Sequence, residues 1–149
     1  MKRRTFFAVA AVALVGARTA IGAASPEVNV YKESTCGCCG NWVKHLRADG
    51  FTVKVNEVPD ADVYRARSGV PVALASCHTA FVGGYVIVGH VPAEDIRRLL
   101  ATRPDILGLT VPGMPPESPG MDAPHGPGYK VLSIDAKGFT RVFRSYPVV

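Results

Sequence analysis

"VNVYKESTCGCCGNWVKHLRADGFTVKVNEV", residues 28–58, changes its pattern twice. Val28 and Val30 alternate with polar residues, which predicts a strand running into the cysteines. Beyond them Trp42, Val43 and Leu46 fall on one face of a helix, and Gly50 is a natural residue to end it. Phe51, Val53 and Val55 then alternate again and predict a second strand. The result is a strand–helix–strand unit with three of the chain's 4 cysteines at its first strand–helix junction.

Downstream, Asp60 is placed to cap a short helix in "ADVYRARS", residues 61–68, which ends before Gly69. "HTAFVGGYVIVGH", residues 78–90, joins two β-rich runs across Gly83-Gly84 and predicts a hairpin. "VPAEDIRRLLATR", residues 91–103, carries Pro92 near its first turn, Glu94 and Asp95 early, and Arg97, Arg98 and Arg103 late. That charge order suits a helix dipole. "YKVLSIDAKGFTRVF", residues 129–143, predicts a second hairpin turning at Asp135 to Gly138. A strand–helix–strand unit followed by a hairpin and a helix predicts an α/β, thioredoxin-like single domain. Between Pro104 and Gly128 lie seven of the 12 prolines, so that segment is expected to be a Pro/Gly-rich loop, neither helix nor strand, before the C-terminal β-hairpin.

Upstream, Lys2, Arg3 and Arg4 precede an apolar run from Phe6 to Val15, followed by small residues around Ala23 and Ala24. Residues 1–24 therefore read as a signal peptide, too short and weakly flanked for a spanning helix, and 25–149 as the thioredoxin-like domain. The expected location is periplasmic or otherwise exported, with no membrane span after cleavage. "RRTFF" partly resembles a twin-arginine signal, so both export routes stay open. Four of the 17 basic residues (Lys2, Arg3, Arg4, Arg18) fall in this leader, leaving 13 against 12 acidic ones. The apparent pI of 9.2 thus belongs largely to the leader, and no basic run remains to suggest nucleic acid.

Cys36, Cys38 and Cys39 crowd into four positions, and Cys77 follows in "ASCHTAF". A helix N-terminus presents unpaired N–H groups and a positive dipole end, which favour the nucleophilic, metal-binding thiolate. Cys36 with Cys39 has the C-x-x-C spacing of a dithiol, and Cys38 is surplus to that use. A single tetrahedral Zn²⁺ wants ligands spaced to converge, which adjacent Cys38 and Cys39 do not offer. Sulfurs bridging several soft ions fit better, and copper(I) is the soft first-row ion that thiolate and thioether select. "VPGMPPESPGM", residues 111–121, repeats Pro-Gly-Met and holds the only methionines after Met1. Met114 and Met121 are therefore candidate thioether ligands rather than core fillers. Of the four histidines, His78 beside Cys77 and His90 after the hairpin are the candidate ligands, while His45 and His125 are left out.

"VYKESTCGCCGNWVKHLRADGF", "GVPVALASCHTAFVGGYVIVGHVPAEDIRRLL" and "GLTVPGMPPESPGM" resemble the domain-of-unknown-function 411 (DUF411) family, the CopG type of periplasmic copper-resistance protein. The likeness runs from about Val30 to Phe143, with one mild departure at Val88, where an acid would be expected. It implies a thioredoxin-like fold and copper–thiolate chemistry at Cys36, Cys38, Cys39 and Cys77. It also implies a role in interconverting Cu(I) and Cu(II), which would make the protein a copper oxidoreductase. The expected function is copper tolerance through a thiolate-rich, multinuclear Cu(I) site, with copper ions and other periplasmic copper-handling proteins as partners. Two other readings remain: a thiol–disulfide oxidoreductase using Cys36 and Cys39, with Cys77 resolving, and a structural domain stiffened by two disulfides.

Overall fold

β1 (Val28–Lys32) leads through a turn into α1 (Gly37–Ala48), and β2 (Val53–Glu57) returns parallel to β1. In this computed structural model, residues 26–121, 123 and 125–148 are described, and the expected signal peptide over 1–24 lies outside them. α2 (Asp62–Arg67) follows, and the Asp60 carboxylate accepts the N–H of Asp62 at its start. β3 (His78–Val82) and β4 (Tyr85–Val88) form the expected hairpin, and α3 (Ala93–Thr102) follows it. β6 (Tyr129–Ile134) and β7 (Thr140–Tyr146) form the second hairpin, with the turn held by the N–H of Gly138 on the Asp135 carbonyl. Each predicted element is present in the predicted order.

One strand was not expected. β5 (Gly108–Thr110) lies inside the Pro104–Gly128 segment and pairs parallel to β4 and antiparallel to β6. Three residues are too few to show an alternating pattern. The strand forms because the open edge of β4 has backbone groups that need partners. Val86 donates to the Leu107 carbonyl, and Val111 donates to that of Val88. Gly108 makes the approach feasible, since a Cβ there would lie 1.8 Å from the Val86 oxygen. β5 therefore joins the C-terminal hairpin to the rest in one seven-stranded sheet, ordered β2-β1-β3-β4-β5-β6-β7.

The main core lies where α1 and α3 cover one face of this sheet. Trp42, Val43 and Leu46 of α1 and Ile96 and Leu99 of α3 pack with Val28, Val30, Ala80, Val82 and Ile87. A smaller cluster of Val70, Val86, Val88 and Ile134 forms a second core. Along β1 the buried residues are Val28, Val30 and then Lys32, so the last inward position before the cysteines carries an ammonium group. Its Nζ donates to the Glu33 carbonyl at 2.8 Å and lies 3.5 Å from the Glu57 carboxylate.

Candidate metal centre

The three clustered cysteines sit where the sequence puts them, at the start of α1. Cys36 is the N-cap residue, no side chain caps the helix, and no acid occupies its first turn. Cys36 and Cys39 are joined by a disulfide with their Cα atoms 5.4 Å apart, and Cys38 and Cys77 are free. The two-bridge arrangement of the structural reading is thus absent.

Cys77 arrives from across the sheet. β3 pairs antiparallel with β1, and His78 stands opposite Lys32, at the end of β1 that leads into the cysteines. The Cys77 sulfur consequently lies 3.9 Å from that of Cys38, which is itself 3.6 Å from the Cys36 sulfur. The Cys39 sulfur is 3.4 Å from the Cys77 carbonyl oxygen. All four sulfurs fall within 4.8 Å of one another.

The two expected histidines reach the same sulfur from the other side. β3 begins at His78, so Cys77 stands just outside the strand and escapes strict alternation. Its sulfur is 3.4 Å from His78 Nδ1 and 2.9 Å from His90 Nε2. Cys77, His78 and His90 make a second group of donors within 4.8 Å, sharing Cys77 with the first. Both imidazoles are buried, at 1% and 0% exposure, which puts them at the back of the site. The Gly89 N–H donates to the His78 carbonyl, which extends the β3–β4 pairing to the turn that carries His90.

Trp42 organises this back wall. Its ring packs on His78 with centroids 4.3 Å apart, and its Nε1–H donates to the Val91 carbonyl at 2.8 Å. Helical periodicity alone marks Trp42 as a core residue. Its position four residues past Cys38, on the buried face of α1, was the available signal.

Burial sets the charge states. Desolvation, reinforced by neighbouring Cys38, pushes the Cys77 thiol up to about 12. Desolvation, with His90 and Lys32 adding to it, holds His78 down to about 3. His78 is therefore a neutral imidazole, the state in which it can ligate a metal. Cys77 keeps its proton until a cation replaces it.

The Pro/Gly loop lies against both cysteine segments. Gly113 donates to the Ala75 carbonyl at 2.9 Å, and the Ser76 hydroxyl donates to the Gly113 carbonyl. Gly120 sits directly on α1, against the backbone of Cys38 and Trp42. These contacts order the loop without using its methionines. Met114 is 51% exposed and Met121 is partly buried beside Gly120. His45 does other work, since its Nε2 accepts the N–H of Ala93 at 3.0 Å and links α1 to the start of α3.

The donor chemistry fits a soft metal ion. Four sulfurs and two imidazoles converge, with no carboxylate in either donor group, and thiolate with imidazole suits Cu(I) better than hard cations.

Residues 74–121 match the family described as "Protein of unknown function, DUF411". Two solved structures, "Copper resistance protein copG- Form 1" and "Form 2", are each 40% identical to this chain. Each alignment covers 83% of this chain and 98% or 99% of the other, with TM-scores of 0.77 and 0.78. No curated protein matches the chain in sequence.

Proposed function

This chain belongs to the DUF411 family, in its CopG type, and we propose on that premise that it is an exported copper-binding protein for copper tolerance. In this reading it carries a thiolate-rich, multinuclear Cu(I) site. Cys36, Cys38, Cys39 and Cys77 are the core ligands, His78 and His90 are imidazole ligands beside Cys77, and Met114 and Met121 supply thioethers. The observation that carries the reading is the position of Cys77, one sulfur shared by two groups of donors. A shared thiolate can bridge two ions, and the adjacent Cys38 and Cys39 are better suited to bridging than to closing one tetrahedron.

The chain's own residues supply the rest of the chemistry. Reduction of the Cys36–Cys39 disulfide takes two electrons and two protons and yields two more thiols. Metal binding then displaces thiol protons, including that of buried Cys77. Trp42 packs on the His78 ring, which lies 5.4 Å from the His90 ring, and the two imidazoles stay in place while the sulfurs load. Interconversion of Cu(I) and Cu(II), with the Cys36–Cys39 dithiol and disulfide as the two-electron partner of two copper ions, and exchange with other periplasmic copper-handling proteins complete the proposal.

The Cys36–Cys39 disulfide at a helix N-terminus favours a second reading, a thiol–disulfide oxidoreductase. Anaerobic Cu(I) titration of the reduced protein, with free thiols counted before and after, separates the two. The copper reading expects more than one copper per chain and a lower number in Cys38→Ser. Full copper uptake by Cys38→Ser, together with disulfide-reductase turnover that depends only on Cys36 and Cys39, would favour the second.

A further inference from the structure

The two donor groups overlap at Cys77 alone, and they differ in what oxidation does to them. The group of Cys36, Cys38, Cys39 and Cys77 loses two of its sulfurs when Cys36 joins Cys39. A disulfide sulfur is no longer a thiolate, and the thiolate is the metal ligand. The group of Cys77, His78 and His90 loses nothing. Resting on the copper reading above, we infer that the Cys36–Cys39 disulfide is a redox switch on copper capacity. Closed, it withdraws the front of the cluster while Cys77, His78 and His90 still hold one Cu(I).

Three features support a retained site. The donor atoms already converge with the disulfide closed, at 2.9 and 3.4 Å from the Cys77 sulfur. Their positions are held by the β3–β4 pairing, by the packing of Trp42 on His78 and by the Trp42–Val91 hydrogen bond, contacts that the Cys36 and Cys39 sulfurs do not themselves make. Exposure is graded too: both imidazoles are buried, whereas Cys36 at the helix mouth is partly exposed and open to an external disulfide. Cys38, 3.9 Å from Cys77, stands by as a further sulfur. Oxidation would therefore unload part of the copper and keep the remainder.

The closing step needs a two-electron oxidant, and a small-molecule disulfide of the glutathione class supplies it. The two cysteine thiols lose two electrons and two protons, a Cys36–Cys39 bond forms, the oxidant's S–S bond breaks, and two molecules of its thiol leave. The test compares fully reduced protein with protein equilibrated against oxidised glutathione. Both are titrated anaerobically with Cu(I) against a Cu(I)-specific chromophoric chelator, with free thiols counted throughout.

The expected result is more than one copper in the reduced form, one in the oxidised form, and two free thiols remaining after oxidation. Cys77→Ser should lose the retained ion. The wild-type comparison stands even if that variant folds poorly. An oxidised form that binds no copper, while the reduced form binds several, overturns this inference alone. So does an oxidised form that binds as much as the reduced one, or oxidation that consumes all four thiols by also joining Cys38 to Cys77. A reduced form that binds no copper overturns the copper reading and this inference together.

Discussion

Gly120→Ala should destabilise the protein by about 2–5 kcal/mol, the sum of a backbone cost and a steric one. Gly120 has φ +96°, a conformation that costs a residue with a Cβ about 1–2 kcal/mol. The added Cβ would lie 2.7 Å from the Trp42 nitrogen, 2.8 Å from the Cys38 oxygen and 3.1 Å from the Trp42 Cα. These are backbone atoms of α1 and cannot swing aside, so relieving the overlap adds about 1–3 kcal/mol. A domain is typically stable by about 5–15 kcal/mol, so the variant should remain largely folded and measurable.

Gly40→Ala provides the control, because a Cβ there meets nothing within 4 Å. It lies within α1 and should gain about 0.5–1 kcal/mol from helix propensity. The same added methyl group, in residues that flank the same turn of α1, is thus expected to act with opposite signs. Urea unfolding of the reduced, metal-free proteins reads this as shifts of the midpoint in opposite directions at unchanged m-value. If Gly120→Ala unfolds within about 0.5 kcal/mol of the wild type, the range of an ordinary surface substitution, the loop does not rest on α1 as described. Copper binding provides a second readout, since lifting Gly120 also moves Met121 away from the helix that carries Cys38.

Met114→Leu with Met121→Leu keeps the apolar bulk, so unfolding should change by less than about 1.5 kcal/mol. Copper affinity should fall, and more for Cu(I) than for Zn²⁺; unchanged Cu(I) affinity would make both methionines packing residues. The metal-free protein should also lose stability in acid because of His78. Its folded pKa, about 3, lies below the ordinary histidine value of 6.5, so its contribution is present above pH 6.5 and is lost as pH falls toward 3. The slope from this one group is about 1.4 kcal/mol per pH unit inside that window. His78→Gln should flatten that part of a pH–stability profile, and an unchanged slope would show that His78 is not buried in its neutral form.

Local pattern made most of the elements legible. Alternation in Val28–Val30 and Phe51–Val55, the one-sided Trp42, Val43 and Leu46, and the Gly83-Gly84 turn each reflect forces acting within a few residues. The helix that begins at the cysteines is also local, and so is the crowding of Cys36, Cys38 and Cys39. β5 was hidden because its three residues form a strand only when the edges of β4 and β6 flank them.

The sequence by itself therefore determined the order of the strands and helices other than β5, and the kinds of donor atom available. Tertiary structure decided which donors meet. Pairing of β3 beside β1 brings Cys77 to a helix 38 residues earlier in the chain, and the turn after β4 sets His90 at 2.9 Å from its sulfur. His45, equally suited to metal by type, is instead engaged by the Ala93 N–H. Periodicity records which face of an element is buried, and it carries no term for what that face will meet. That depends on sheet register and on the need to pair every buried backbone group, which are settled only when the whole chain packs together.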